Sequence, residues 1–240
     1  MTQQHVNDLG QPVGFPLPDW MPRALPPRTA LTGRLCTVAP LDPGRHAAQL
    51  FAAYADDRDG RMWTYLPRGP YARLAEYRDW AESACRTDDP LTYTIIDHAT
   101  GEAVGTAALM RIEPDAGVIE IGSITYSPRL QRRPAGTEAM YLLMRRVFDE
   151  LGYRRYEWKC NALNAPSRAA ALRYGFQFEG IFRQAAIYKG RSRDTAWYSI
   201  LDREWPAIRH GFEQWLRPEN LATDGTQRER LHDLISRSRM

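Results

Sequence analysis

The stretch from Glu120 to Glu138 constrains this chain more than any other. It reads Glu-Ile-Gly-Ser-Ile-Thr-Tyr, then Ser-Pro-Arg-Leu-Gln-Arg-Arg-Pro-Ala-Gly, then the opening of an amphipathic helix. A strand feeding a short basic loop that ends on a helix start forms an anion-binding device, because the first turn of a helix leaves backbone N–H groups unpaired and carries the positive end of its dipole. Gly136 lets a ligand approach the backbone closely, and Arg132 and Arg133 supply charge suited to phosphate oxygens. The loop is neither a Walker loop, since no Gly-Lys-Ser/Thr follows, nor a dinucleotide fingerprint, since Gly-x-Gly-x-x-Gly is missing.

The helix after the loop is the clearest in the chain. Met140, Leu143, Met144, Val147, Phe148 and Leu151 repeat at helical spacing, and Gly152 follows where a left-handed cap is wanted. Upstream, Asp42-Pro43 reads as a helix start, with Ala47, Leu50, Phe51 and Tyr54 on one face, and a second helix is expected over about 72–86. Strands are expected in 31–41 and over 91–97, 103–112, 118–126, 154–160, 176–188 and 194–201, the last two joined by the turn Lys189-Gly-Arg-Ser. Short helices are expected after Asn164 and over 204–216. Residues 1–33, rich in Pro and Gly, read as an extended arm whose apolar residues rest on the body, 34–216 as the main domain, and 217–240 as a loose polar tail.

Composition excludes several classes. With 43% hydrophobic and 25% charged residues the chain reads as an ordinary globular protein, and a net charge of +3 is too small to argue for nucleic acid. Only two of the 32 basic residues are lysines, Lys159 and Lys189, a skew that reads as base composition rather than function. Cys36, Cys85 and Cys160 have no metal-ligand or redox spacing, and the five histidines are scattered, so no metal is expected. No apolar run reaches membrane length and the first residues do not read as a signal peptide, so no membrane partner and a cytoplasmic location are expected.

The order of parts also resembles a known family. Gln131-Arg-Arg-Pro134-Ala-Gly136 followed by Thr137-Glu138-Ala139, then Asn164-Ala-Pro-Ser167, Tyr174-Gly-Phe176 and Glu179-Gly180, is similar to the paired motifs of the GNAT acyltransferases, in particular the RimJ/RimL-like branch, over roughly 31–216. The resemblance implies an α+β fold, with a mixed, mostly antiparallel central sheet flanked by helices on both faces and acetyl-CoA bound where two central strands splay. It assigns the cofactor to the strand ending at Tyr126, to Gln131, Arg132 and Arg133, and to the N–H groups of Arg133, Ala135, Gly136 and Thr137. There are two departures. Pro134 stands where the family has the first loop glycine and removes an N–H, and the position of the family's usual acid, a Tyr seven residues after Asn164, is Ala171.

Glu120, bracketed by apolar residues on its strand, is the candidate base; such a carboxylate does chemistry or is held in a salt bridge inside the sheet. On a regular strand it shares a face with Gly122, Ile124 and Tyr126, and a bulge would change that. Asn164 either contacts cofactor or caps its helix, and Ser167 either donates to the departing thiolate or caps the same turn. Trp63 and Tyr65 are expected to form the acceptor wall, the other reading being that such loop aromatics, Trp63 above all, pack into the core. The chain is thus expected to acetylate a primary amine of a small molecule by direct attack in a ternary complex, with acetyl-CoA and the amine as its partners. A protein N-terminus as acceptor and a non-catalytic acyl-CoA sensor are the alternatives, and monomer and homodimer stay open.

Overall fold

The computed structural model describes residues 5–223 and 226–239. A two-stranded ribbon, β1 (His5–Val6) and β2 (Pro12–Val13), precedes one eight-stranded sheet. Its strands are β3 (Leu31–Thr32), β4 (Cys36–Pro40), β5 (Leu91–Asp97), β6 (Ala103–Glu113), β7 (Val118–Tyr126), β8 (Arg155–Asn161), β9 (Gln177–Tyr188) and β10 (Arg191–Leu201), in the spatial order β3-β4-β5-β6-β7-β8-β10-β9. Every neighbouring pair is antiparallel except β7 and β8, which are joined by a helical crossover. The helices are α1 (Pro43–Tyr54), α2 (Leu74–Ala84), α3 (Pro134–Arg145, continued by a π turn over Arg146–Glu150), α4 (Ala165–Arg173), α5 (Trp205–Trp215) and α6 (Leu231–Ser238).

The core has two parts. The larger joins α3, α4, α5 and α6 to the sheet, and the smaller gathers Leu41, Leu50, Tyr54, Trp63 and Tyr77 between α1, α2 and their connecting loop. Ala103 belongs to the smaller and Val104 to the larger, and adjacent residues of a strand point to opposite faces, so the two parts cover the two sides of β6.

Three local devices shape the centre. The β7–β8 pairing runs only from Val118 opposite Arg155 to Ile121 opposite Trp158, after which the strands part. A bulge in β7 at Ser123, whose φ is 50°, shifts its register against β6 between Thr106 and Ala108. A second bulge sits in β6 at Arg111, with φ 47°, and the Asp89 carboxylate holds it by accepting the N–H groups of Arg111 at 2.8 Å and Ile112 at 3.0 Å. The bulge at Ser123 breaks the simple alternation expected along β7: Glu120 to Ile124 all border one cavity, and Tyr126 borders another.

The ends of the chain differ from expectation. Of the apolar residues in the arm, Trp20 packs, lying over Gly117 and donating its indole N–H to Asp115 O at 2.7 Å, while Phe15, Leu17, Met21 and Leu25 stay exposed. In place of a loose tail, 231–238 form α6, which buries Leu231, Leu234 and Ile235. Ile235 packs so closely over Gly211 of α5 that a Cβ there would lie 2.5 Å from its side chain. The β9–β10 turn is tighter than expected. Lys189 and Gly190, with φ of 50° and 72°, make a two-residue turn that starts β10 at Arg191 instead of 194.

Glu138 ties the helix that follows the loop to the sheet. Its buried carboxylate accepts the backbone N–H groups of Arg34 at 3.0 Å, Leu35 at 2.6 Å and Cys36 at 2.9 Å, and it fills the space that a side chain at Gly33 would need. Removing it leaves three donors without their acceptor at the start of β4. Glu138→Ala is therefore expected to cost roughly 2–4 kcal/mol, read as a fall in Tm of about 5–15 °C for a domain of this size. Glu138→Gln, which keeps the shape and one acceptor oxygen, should fall in between, and an alanine variant that melts with the wild type would contradict this role.

Candidate active site

The parted ends of β7 and β8 open a slot, and α4 lies along it. At one end of α4, Asn164 and Ser167 border a cavity between the strands; at the other, Ala170, Arg173 and Tyr174 border a second cavity beneath the start of α3. The positions 164, 167, 170 and 174 follow helical spacing, so one face of α4 connects the two.

The second cavity, about 340 Å³, is bordered by the loop and helix start expected to bind an anion. Pro134 takes the first position of α3, where its missing N–H costs no helical bond. Arg133 precedes it in extended conformation, and Arg132 adopts a left-handed φ of 60°. The loop is braced from within. Gln131 donates its side-chain amide to Tyr126 O at 2.8 Å, Arg133 N–H bonds Leu130 O at 3.2 Å, and Gly136 N–H bonds Arg133 O at 3.1 Å. The Tyr126 hydroxyl donates to Gly136 O at 3.2 Å. A Cβ at Gly136 would sit 3.1 Å from the Tyr126 ring and 3.2 Å from Leu130 O, so the loop's own packing is tight here and a side chain would need its neighbours to give. Arg132, Arg133, Gly136 and Thr137 line this cavity, whereas Ala135 is buried and Gln131 acts on the strand end. Sequence reasoning missed Arg173. Its guanidinium donates to Thr137 Oγ1 at 3.1 Å and stacks over Tyr174 and Trp215, which fixes a cation beside the N-terminus of α3. In the sequence it is one Arg among thirty, with no local signal.

The first cavity, about 170 Å³, is lined by Arg111, Glu120 to Ile124, Trp158 to Asn161, Asn164 and Ser167, and is roofed by Tyr65–Leu66–Pro67 and by Tyr188 and Arg193 of the β9–β10 hairpin. Lys189, at the hairpin turn, donates to Trp63 O at 2.9 Å and so clamps the hairpin to the roof loop. Of the two lysines of the chain, Lys159 lines this cavity and Lys189 holds its roof in place, which the compositional reading does not foresee.

Glu120 is 3% exposed, and its Oε2 meets Arg111 at 2.6 Å and Lys159 at 3.0 Å. Oε1 takes neither cation and lies over Gly122, where a side chain would collide with Met110. Lys159 also pairs with Glu157 at 2.7 Å and stacks 3.8 Å above Trp197, Glu157 pairs with Arg155 at 2.7 Å, and Arg155 pairs with Glu179 at 2.5 Å. The salt bridge inside the sheet therefore exists, and it sits on the cavity wall.

Ser167 receives the Trp158 indole N–H on its Oγ at 3.1 Å, and its own hydroxyl proton is left for another acceptor. Asn164 caps α4, its Oδ1 accepting Ser167 N–H at 3.1 Å. Ala171 is fully buried, so no acid can act from that position, and Tyr174 lines the other cavity. Burial raises the pKa of the Cys160 thiol, which keeps it protonated near neutrality. Trp63 corrects the expected acceptor wall: it is 4% exposed and packs edge-on against Tyr54 and Tyr71, with Gly69 against its face. Of the two aromatic residues, only Tyr65 borders the cavity.

Known proteins share this fold. The family model described as acetyltransferase (GNAT) domain matches residues 36–177. A GCN5-related N-acetyltransferase from Brucella melitensis is 49% identical and superposes with a TM-score of 0.90 over 92% of this chain and 100% of that one. The uncharacterised N-acetyltransferase p20 of Bacillus licheniformis is 31% identical over 150 residues, 61% of this chain and 84% of its own. At 20% identity, the microcin C7 self-immunity acetyltransferase MccE, crystallised with acetyl-CoA and AMP, shares the fold, with a TM-score of 0.63 over 70% of this chain and 93% of that one. With a mixed sheet opened between β7 and β8 and a braced loop leading into α3, the chain belongs to the GNAT N-acetyltransferases, in their RimJ/RimL-like branch.

Proposed function

We propose that this GNAT enzyme transfers the acetyl group of acetyl-CoA to a primary amine of a small molecule by direct attack in a ternary complex. The observation that carries the proposal is the pair of cavities joined along one face of α4, one built for an anion and one holding a carboxylate and a hydroxyl. The roof made by the 65–67 loop and the clamped hairpin favours a compact acceptor over a protein N-terminus.

Acetyl-CoA supplies a thioester whose carbonyl the amine attacks. At the α3 end, the helix N-terminus, Thr137 and Arg173 receive the pyrophosphate, with Arg132 and Arg133 at the rim. At the acceptor end, Glu120 Oε1, the oxygen that neither Arg111 nor Lys159 holds, takes the ammonium proton through water. The surrounding cations favour the neutral amine, the form that attacks. Backbone N–H groups freed where β7 and β8 part stabilise the charge that develops on the acetyl oxygen. Ser167 donates a hydrogen bond to the departing thiolate, which takes its proton from water. The protonated state of Cys160 argues against an acyl-cysteine route.

Two measurements test this reading. Arg173→Ala should weaken CoA binding about tenfold by calorimetry, the share of one charge-assisted contact, while the melting curve stays near that of the wild type; an unchanged affinity would remove Arg173 from the site. Glu120→Gln should lower kcat by roughly 10²–10⁴ near neutral pH and abolish the acidic limb of the pH–rate profile. A structural ion pair alone would lower Tm and leave the limb in place.

A further inference from the structure

The charges around the acceptor cavity do not balance, and Arg193 is the one left over. Arg111, Glu120, Lys159, Glu157, Arg155 and Glu179 form a continuous chain in which cations and carboxylates alternate one for one. Arg193 stands outside it. Among the described residues it has no ion pair, and its Nε is buried without a hydrogen-bond partner. The neighbouring Asp194 carboxylate is turned away, accepting the N–H of Gln184 at 2.7 Å. The guanidinium stacks 4.7 Å from the Tyr188 ring centre, which holds its plane, and both residues border the cavity that contains Glu120.

A buried donor without an acceptor is costly, and a stacked guanidinium with free N–H groups matches a planar carboxylate or a phosphate in two-point geometry. The pyrophosphate of acetyl-CoA cannot fill that role. Its site is at the far end of α4, from Asn164 to Tyr174, a run of about 15 Å at the rise of an α-helix. The anion must belong to the acceptor.

We infer that the acceptor amine carries its own anionic group, a carboxylate or a phosphate, and that Arg193 binds it. The inference rests on the proposed function, since it takes this cavity to be the acceptor site. The small cavity limits the acceptor to a compact amino acid or aminoalkyl phosphate rather than a long polyamine. Arg193 then sets specificity: it anchors the anion while the amine faces Glu120, and it repels acceptors that bring only positive charge.

The test uses matched acceptors: amino acids beside their amides and decarboxylated amines, and aminoalkyl phosphates beside the parent amino alcohols. Thiol release from acetyl-CoA gives kcat/KM, and indole fluorescence, with Trp158 on the cavity wall, gives acceptor binding in the presence of CoA. The anionic member of a pair should be preferred by roughly 10- to 100-fold. Arg193→Gln should erase that preference through the acceptor KM and leave the acetyl-CoA KM unchanged. Preference for the carboxylate or the phosphate series identifies the anion. Turnover of charged and uncharged members at equal efficiency, or a preference that survives Arg193→Gln, overturns the inference while the acetyltransferase reading stands. Anion-dependent binding that Arg193→Gln abolishes, without thiol release from any amine, upholds the anion site and overturns small-amine acetylation instead. If no anionic member either binds or turns over, the inference is overturned.

Discussion

Four residue pairs hold β7 to β8, and the proposed site depends on their stopping at Ile121 and Trp158. A parallel pair that continued to Tyr126 and Asn161 would close the slot, cover the strand edges and leave α4 facing a sealed sheet. The separation is maintained from both sides. On the β7 side, the bulge at Ser123 redirects the strand and Gln131 takes the terminal carbonyl of Tyr126. On the β8 side, β10 keeps its antiparallel partnership out to Thr195 opposite Asn161, which draws β8 away. Glu138 then fixes α3 against the start of β4, so the helix N-terminus is anchored to a part of the sheet that does not open.

The two ends of the slot use charge differently. At the α3 end Arg132 and Arg133 are exposed and carry no ion pair among the described residues, which suits the phosphates that the proposed function brings there. At the acceptor end almost every charge already has a partner. Glu120 shares one oxygen between Arg111 and Lys159 and keeps the other clear. This shape suits a group that accepts a proton for a short time without being neutralised. The left-handed backbone at Arg111, buttressed by Asp89, is the sort of strained position that persists where its side chain is needed in one place.

Much of this was legible in the sequence, for physical reasons. The strand–loop–helix at 120–138 carries its own local grammar, and the paired motifs order the rest, so the sheet and the braced loop leading into α3 follow from short-range patterns. Glu120 was visible as a carboxylate among apolar neighbours. Pro134 stands at the first position of α3, where its missing N–H costs no helical bond, though it offers an anion one donor fewer. What escaped was what only tertiary contact decides. Trp63 and Tyr65 are two residues apart in an aromatic loop, and nothing local tells which one turns into the core. Arg173 and Arg193 are two arginines among thirty, distinguished only by what surrounds them. The α6 helix offers just three apolar side chains, and its partner, Gly211, is recognisable only once Ile235 lies on it.

Amide hydrogen exchange with and without CoA tests the central claim most directly, because it reports every backbone segment at once. Protection on adding CoA is expected in 122–137, covering the open end of β7, the loop and the first turn of α3, and in 159–174, covering the end of β8 and α4. The groove that Phe15, Trp20 and Arg23 of the N-terminal arm form with Arg154 should not change. Protection confined to that groove, or none at saturating CoA, would contradict the assignment of the slot between β7 and β8 as the acetyl-CoA site.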